Sequence, residues 1–154
     1  MDPMTAKALA TAGAFSALGF AALGSAIGCG VAGMSAVGAW KKCYAQNKPG
    51  PFQLVIFAGA PLSQTIYGFI LMFIMNRSID VLANSWPAAL MIGILGGSAM
   101  GLSAVYQGKG AASACDAFAE TGKGFANDIM ILGITETIAI FVLVFGIMIT
   151  GTIK

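Results

Sequence analysis

The stretch Ile129–Ile153, IMILGITETIAIFVLVFGIMITGTI, is mostly aliphatic and holds one charged residue, Glu136. As a helix it would run about 37 Å at 1.5 Å per residue, longer than the ~30 Å hydrocarbon core of a bilayer. Lipid offers no water to backbone N–H and C=O groups, so such a run is predicted to be a membrane-spanning helix. The rest of the chain agrees. Of 154 residues, 58% are hydrophobic and only 9% are charged, whereas a soluble domain carries roughly a quarter charged residues. This composition cannot cover a water-facing surface and excludes an ordinary soluble enzyme. A net charge of +2 is too small for a nucleic-acid footprint. There is no His, and Cys29, Cys43 and Cys115 lie in apolar or helical runs. They read as free thiols, not as a zinc site or a disulfide framework.

Working back from the last span, the chain divides into four apolar runs. After Asp2 and Lys7, a long Gly/Ala/Ser-rich stretch meets no convincing cleavage site and reads as the first membrane helix, not a signal peptide. In it, Gly24 and Gly28 form a GxxxG step, and Gly33 and Gly38 continue the series of small residues that lets helices approach closely. Lys41, Lys42, Lys48 and Pro49-Gly50-Pro51 make a loop, and Phe52–Asn76 is the second run. Arg77, Asp80, Asn84 and Ser85 make a second loop, with Pro87 placed to open the third helix. That helix turns polar after Tyr106. The expected architecture is therefore all-α: one hairpin in residues 1–80, with helices about 5–42 and 52–76, and another in 81–154, with helices about 87–122 and 125–153. The excess of Lys in the first loop places it in the cytoplasm and both termini on the far side.

The halves resemble each other. Gly24-Ser25-Ala26-Ile27-Gly28 matches Gly97-Ser98-Ala99-Met100-Gly101, 73 positions on, and Ser63-Gln64-Thr65-Ile66 matches Thr135-Glu136-Thr137-Ile138, 72 on. Two hairpins in the same orientation are a parallel repeat, unlike the inverted repeats of many carriers.

Glu136 is the most informative residue. A charge at that depth costs roughly 2.5–3.5 kcal/mol, a cost that falls when the group is protonated or binds a cation. Gln64 stands at the equivalent place in the second span, with Ser63 and Tyr67 on a shared face and Pro61 one turn earlier. Pro61 lacks an N–H, so a nearby carbonyl is released from the helix. Gln107 adds a second amide. A carboxylate, amide oxygens, a hydroxyl and a free carbonyl suit a hard cation. A proton site would need the carboxyl and fewer oxygens, and the two amides could instead join helices by hydrogen bonds.

These residues resemble the proteolipid ring subunit, called K or c, of V-type rotary ATPases. Ala60-Pro61-Leu62-Ser63-Gln64-Thr65-Ile66-Tyr67-Gly68 is similar to the family's Pro-x-Thr/Ser-Gln-x-x-Tyr-Gly stretch. Gln107-Gly108-Lys109 resembles its third-helix motif, and Glu136-Thr137 its ion-binding Glu. Ser63 stands where Thr is common, which keeps the hydroxyl, and Ala60 stands where a larger residue is usual. The resemblance implies an ion-translocating subunit without catalysis or cofactor of its own, in a bacterial or archaeal cell membrane. It implies a homo-oligomeric ring in lipid, packed through Gly24, Gly28, Gly33, Gly97 and Gly101. It also implies a stator subunit supplying an Arg, and central-stalk subunits at the cytoplasmic loops. In sodium-translocating members it implies that Glu136, Gln64, Gln107, Ser63 and the Ala60 carbonyl bind Na⁺, with Tyr67 and Pro61 in support. The alternatives are a proton-carrying rotor subunit and a small four-span carrier or channel.

Overall fold

In a computed structural model, which describes residues 1–153, the chain is all helix. Lys154, the last residue of the second expected hairpin, lies outside the described residues. Helix α1 runs Pro3–Ala45, α2 Leu54–Gly59, α3 Ser63–Arg77, α4 Ile79–Asn84, α5 Trp86–Thr121 and α6 Phe125–Thr152. Among the described residues, four helical segments are long and apolar enough to cross a membrane: α1, α2–α3 taken together, α5 and α6.

Local chemistry sets the boundaries. The Asp2 carboxylate accepts from the Thr5 N–H at 3.1 Å, and Pro3 occupies the first turn, so α1 begins there. The Trp40 indole donates to the Pro51 carbonyl at 2.8 Å and ties the first loop to the end of α1. Gly122 and Gly124 both have positive φ, which permits a three-residue turn from α5 into α6. Two segments differ from the sequence reading. The second span is not one helix: Ala60–Leu62 form a 3-10 turn because Pro61 cannot donate to the turn before it. The second loop is itself largely helical, as α4, and the exposed Lys7–Asp80 ion pair of 2.7 Å ties it to the start of α1.

The core is the seam between α1 and α5. Ala10, Ala14, Ala17, Ala21, Gly24, Gly28, Ala32, Ala36 and Ala39 are buried along one face of α1, at steps of three or four. Ala89, Gly93, Gly97, Gly101, Ala104, Gly108 and Ala111 do the same on α5. Gly13 lies against Ala89, Gly24 against Gly101 and Gly28 against Ala104, and the Ser35 hydroxyl donates to the Ala112 carbonyl at 2.7 Å. Contact partners stay 76–77 or 80–81 positions apart along the whole seam, a spread of about one helical turn around level, so the helices are parallel. The matched segments Gly24–Gly28 and Gly97–Gly101 are therefore not level with each other. Ser25-Ala26-Ile27 and Ser103-Ala104-Val105, 78 apart, are the level pair. The register changes because the first loop is longer: α5 ends 76 positions after α1, but α6 begins 71 after α2.

The glycines expected between ring neighbours are thus used first within the chain. Gly24, Gly28, Gly97 and Gly101 sit in the α1–α5 seam, whereas Gly33 faces open space. By contrast α6 buries only Leu132, Ala139, Leu143 and Thr150, and turns Ile131, Ile134, Ile138, Phe141 and Phe145 outward.

A Cβ on Gly28 would stand 2.8 Å from the Pro61 Cβ and closer still to the Ala104 carbonyl oxygen. Gly28→Ala is therefore expected to cost about 1–3 kcal/mol, read from unfolding in mixed detergent. Gly30→Ala, with no atom within 4 Å, should be neutral or gain up to ~1 kcal/mol. For topology, Cys43 is a poor reporter, because it is buried with its thiol toward the Ala119 carbonyl. Lys48 is exposed. In a chain without its native cysteines, Lys48→Cys should react with a membrane-impermeant thiol reagent in inverted vesicles only. Reaction confined to right-side-out vesicles would reverse the orientation.

Candidate ion-binding site

The 3-10 turn in the second span begins the site. The Ser63 hydroxyl lies 3.1 Å from the Ala60 carbonyl oxygen and 3.3 Å from Gln64 Oε1, and either can accept its proton. Pro61 is buried against Gly28, which presses this break into the α1–α5 seam. On α5, Gln107 precedes Gly108, whose Cα side meets Gly28. One residue is about 100° of helix turn, so Gln107 points away from α1 toward α3 and α6. Gln64 and Gln107 are both fully buried.

A hydrogen-bonded chain joins the three helices. Gln64 Nε2 donates to Gln107 Oε1 at 2.8 Å, and Gln107 Nε2 donates to the Leu132 carbonyl at 3.0 Å and to Glu136 Oε2 at 3.3 Å. The other carboxylate oxygen, Glu136 Oε1, accepts from the Tyr67 hydroxyl. Each Glu136 oxygen therefore has a donor from a different helix. Bonds to a charged acceptor are roughly twice as strong as neutral ones. Half-buried, with Ile131, Ile134 and Ile138 exposed on the same helix, Glu136 faces its own chain, not the apolar outside.

The sequence reading named Ala60, Pro61, Ser63, Gln64, Tyr67, Gln107 and Glu136, and all seven meet here. Their roles are more divided than expected. Gln64 does not bond Glu136 but reaches it through Gln107, and Gln107 turns its N–H₂, not its oxygen, to the carboxylate. Three participants were missed: Ser103, whose hydroxyl donates to the Thr135 carbonyl at 2.7 Å, and the Leu132 and Thr135 carbonyls themselves. Ser103 could have been found from its spacing, since it lies one turn before Gln107 on the same face of α5.

Comparison with known proteins agrees with this layout. Residues 88–149 match the family of the ATP synthase C subunit, a span that includes Gln107 and Glu136. Over 149 residues the chain is 31% identical to the A-type ATP synthase subunit K of Methanocaldococcus jannaschii. The match covers 96% of this chain and 63% of that protein, so the chain spans less than two thirds of its relative's length. Four spanning helices make it an integral, multi-pass membrane protein. With its small-residue seam, its carboxylate in the fourth span and these two matches, the chain is similar to the c/K proteolipid subunits of ATP synthases.

Proposed function

We propose that this chain is the membrane rotor subunit of a rotary ATPase and carries one Na⁺ per copy at Glu136. The observation that supports this best is the grouping of one carboxylate with the Ala60 carbonyl, the Ser63 hydroxyl and the Gln64 and Gln107 amides, inside a spanning bundle. Oxygens of this kind coordinate hard cations. Na⁺ here is cargo. Its binding neutralises Glu136, so the loaded site can pass lipid without the cost of a bare charge. Tyr67 and Gln107 fix the carboxylate oxygens and hold the site closed. Among the described residues the one arginine, Arg77, ends α3 far from Glu136. A displacing positive charge would then come from a stator subunit, and ATP chemistry from other subunits again. Bulky residues left uncovered on α1, including Phe15, Phe20 and Leu23, and on α6 suit neighbouring copies and lipid in a closed ring. The polar ends of α1 and α5, joined by the Lys42–Glu120 pair, suit docking of a central stalk.

A hydrophobic carbodiimide reacts with a protonated carboxyl in apolar surroundings, and bound Na⁺ would keep the carboxylate ionised. Glu136 is expected to be the labelled carboxyl. Na⁺ should slow its labelling, whereas K⁺ at equal ionic strength should not, which separates coordination from screening. Glu136→Gln should abolish labelling and transport. Labelling that follows pH and ignores Na⁺ would make the cargo a proton. A native mass of one or two copies would instead indicate a small carrier. Tyr67→Phe removes one donor to the carboxylate, a bond of about 1.5–3 kcal/mol. It should raise the Na⁺ concentration that protects Glu136 by one to two orders of magnitude, read in the same labelling assay.

A further inference from the structure

We infer that Ser103 is a positioning residue that sets which end of the Gln64 amide faces the ion. The inference rests on the Na⁺ reading above. Ser103 is 5% exposed, and its hydroxyl has one proton. That proton goes to the Thr135 carbonyl at 2.7 Å, a group that can only accept. Ser103 Oγ is thereby left with lone pairs toward α3, where Gln64 Nε2 lies 3.4 Å away. Lone pairs admit the N–H₂ end of an amide and reject its oxygen. The second Gln64 N–H is taken by Gln107 Oε1 at 2.8 Å. The polarity of Gln107 is fixed in the same way, because the Leu132 carbonyl and the Glu136 carboxylate both require donors. With both its N–H groups committed to α5, the planar Gln64 amide must turn Oε1 to the opposite side, where Ser63 Oγ and the Ala60 carbonyl stand. Two backbone carbonyls of α6 thus dictate, through Ser103 and Gln107, where the Gln64 oxygen points.

Position 25 of α1, level with Ser103, carries the same residue in a different setting. Ser25 is equally buried, and its hydroxyl has no hydrogen-bond partner among the described residues. It therefore serves as a control for the loss of a buried hydroxyl.

The test compares Ser103→Ala, Ser25→Ala and wild type as intact protein in membranes. Two quantities are read: the rate of carbodiimide labelling of Glu136 without Na⁺, and the Na⁺ concentration that halves it. Ser103→Ala is expected to raise the half-protecting concentration about tenfold, the scale of one lost hydrogen bond. The Na⁺-free rate should stay at the wild-type value, and Ser25→Ala should match wild type in both. No shift in Ser103→Ala overturns the inference. So does a shift accompanied by a changed Na⁺-free rate, or an equal shift in Ser25→Ala, because either would mark a general packing effect. Indifference of wild type to Na⁺ overturns the ion reading itself, and this inference with it.

Discussion

At Gly28 three helical segments meet without an intervening side chain. The Gly108 backbone of α5 and the ring of Pro61 both lie against it. This contact has two consequences for the site. It brings α5 close enough that Gln107, next to Gly108, reaches both α3 and α6. It also supports the one place where the second span departs from α-helix, so that the Ala60 carbonyl, which accepts the Ser63 N–H across the 3-10 turn, and the Ser63 hydroxyl stay beside Gln64. A methyl group at residue 28 would separate both at once. In lipid there is no hydrophobic gain from joining helices, so close backbone packing and interhelical hydrogen bonds must hold the bundle together. The seam and the polar cluster are those two forces, and they meet at the same height.

Much of this was legible in the sequence. Four spans follow from apolar length alone, and the small-residue series of α1 and α5 announces close packing. The site residues also stand out, because uncompensated polar groups are rare in lipid. What escaped were relations set by three-dimensional register. Gly24-Ser25-Ala26-Ile27-Gly28 and Gly97-Ser98-Ala99-Met100-Gly101 match in letters, yet stretches rich in Gly and Ala can match in more than one frame. Only the contacts Gly24 to Gly101 and Ser35 to Ala112 select the frame. The helical character of residues 79–84 was hidden as well, since Asp80, Asn84 and Ser85 are also good turn formers.

The partners of the amides were hidden for a different reason. Sequence counts oxygens near a carboxylate but cannot say which end of an amide faces which neighbour. That choice depends on acceptor-only groups, here the Leu132 and Thr135 carbonyls, and backbone carbonyls carry no sequence signal. Ser103 looked like one more small residue in a small-residue helix. Its role follows only from the direction of its hydroxyl.

Direction also explains why a site with so many polar groups can be stable inside an apolar bundle. A buried amide left unpaired costs about 1–3 kcal/mol, and two adjacent amides in arbitrary orientation would leave several groups unmatched. Here each N–H₂ meets acceptors and each oxygen meets a donor, in a line from Ser63 through Gln64 and Gln107 to Glu136. Tyr67 closes the far end. Reversing any one amide would set oxygen against oxygen at the next link, so the chain of bonds has a single low-energy sense. That sense turns Gln64 Oε1 to the side of the Ala60 carbonyl and brings donors to both oxygens of Glu136. The interactions that make the bundle tolerable in lipid therefore also orient its one intramembrane carboxylate.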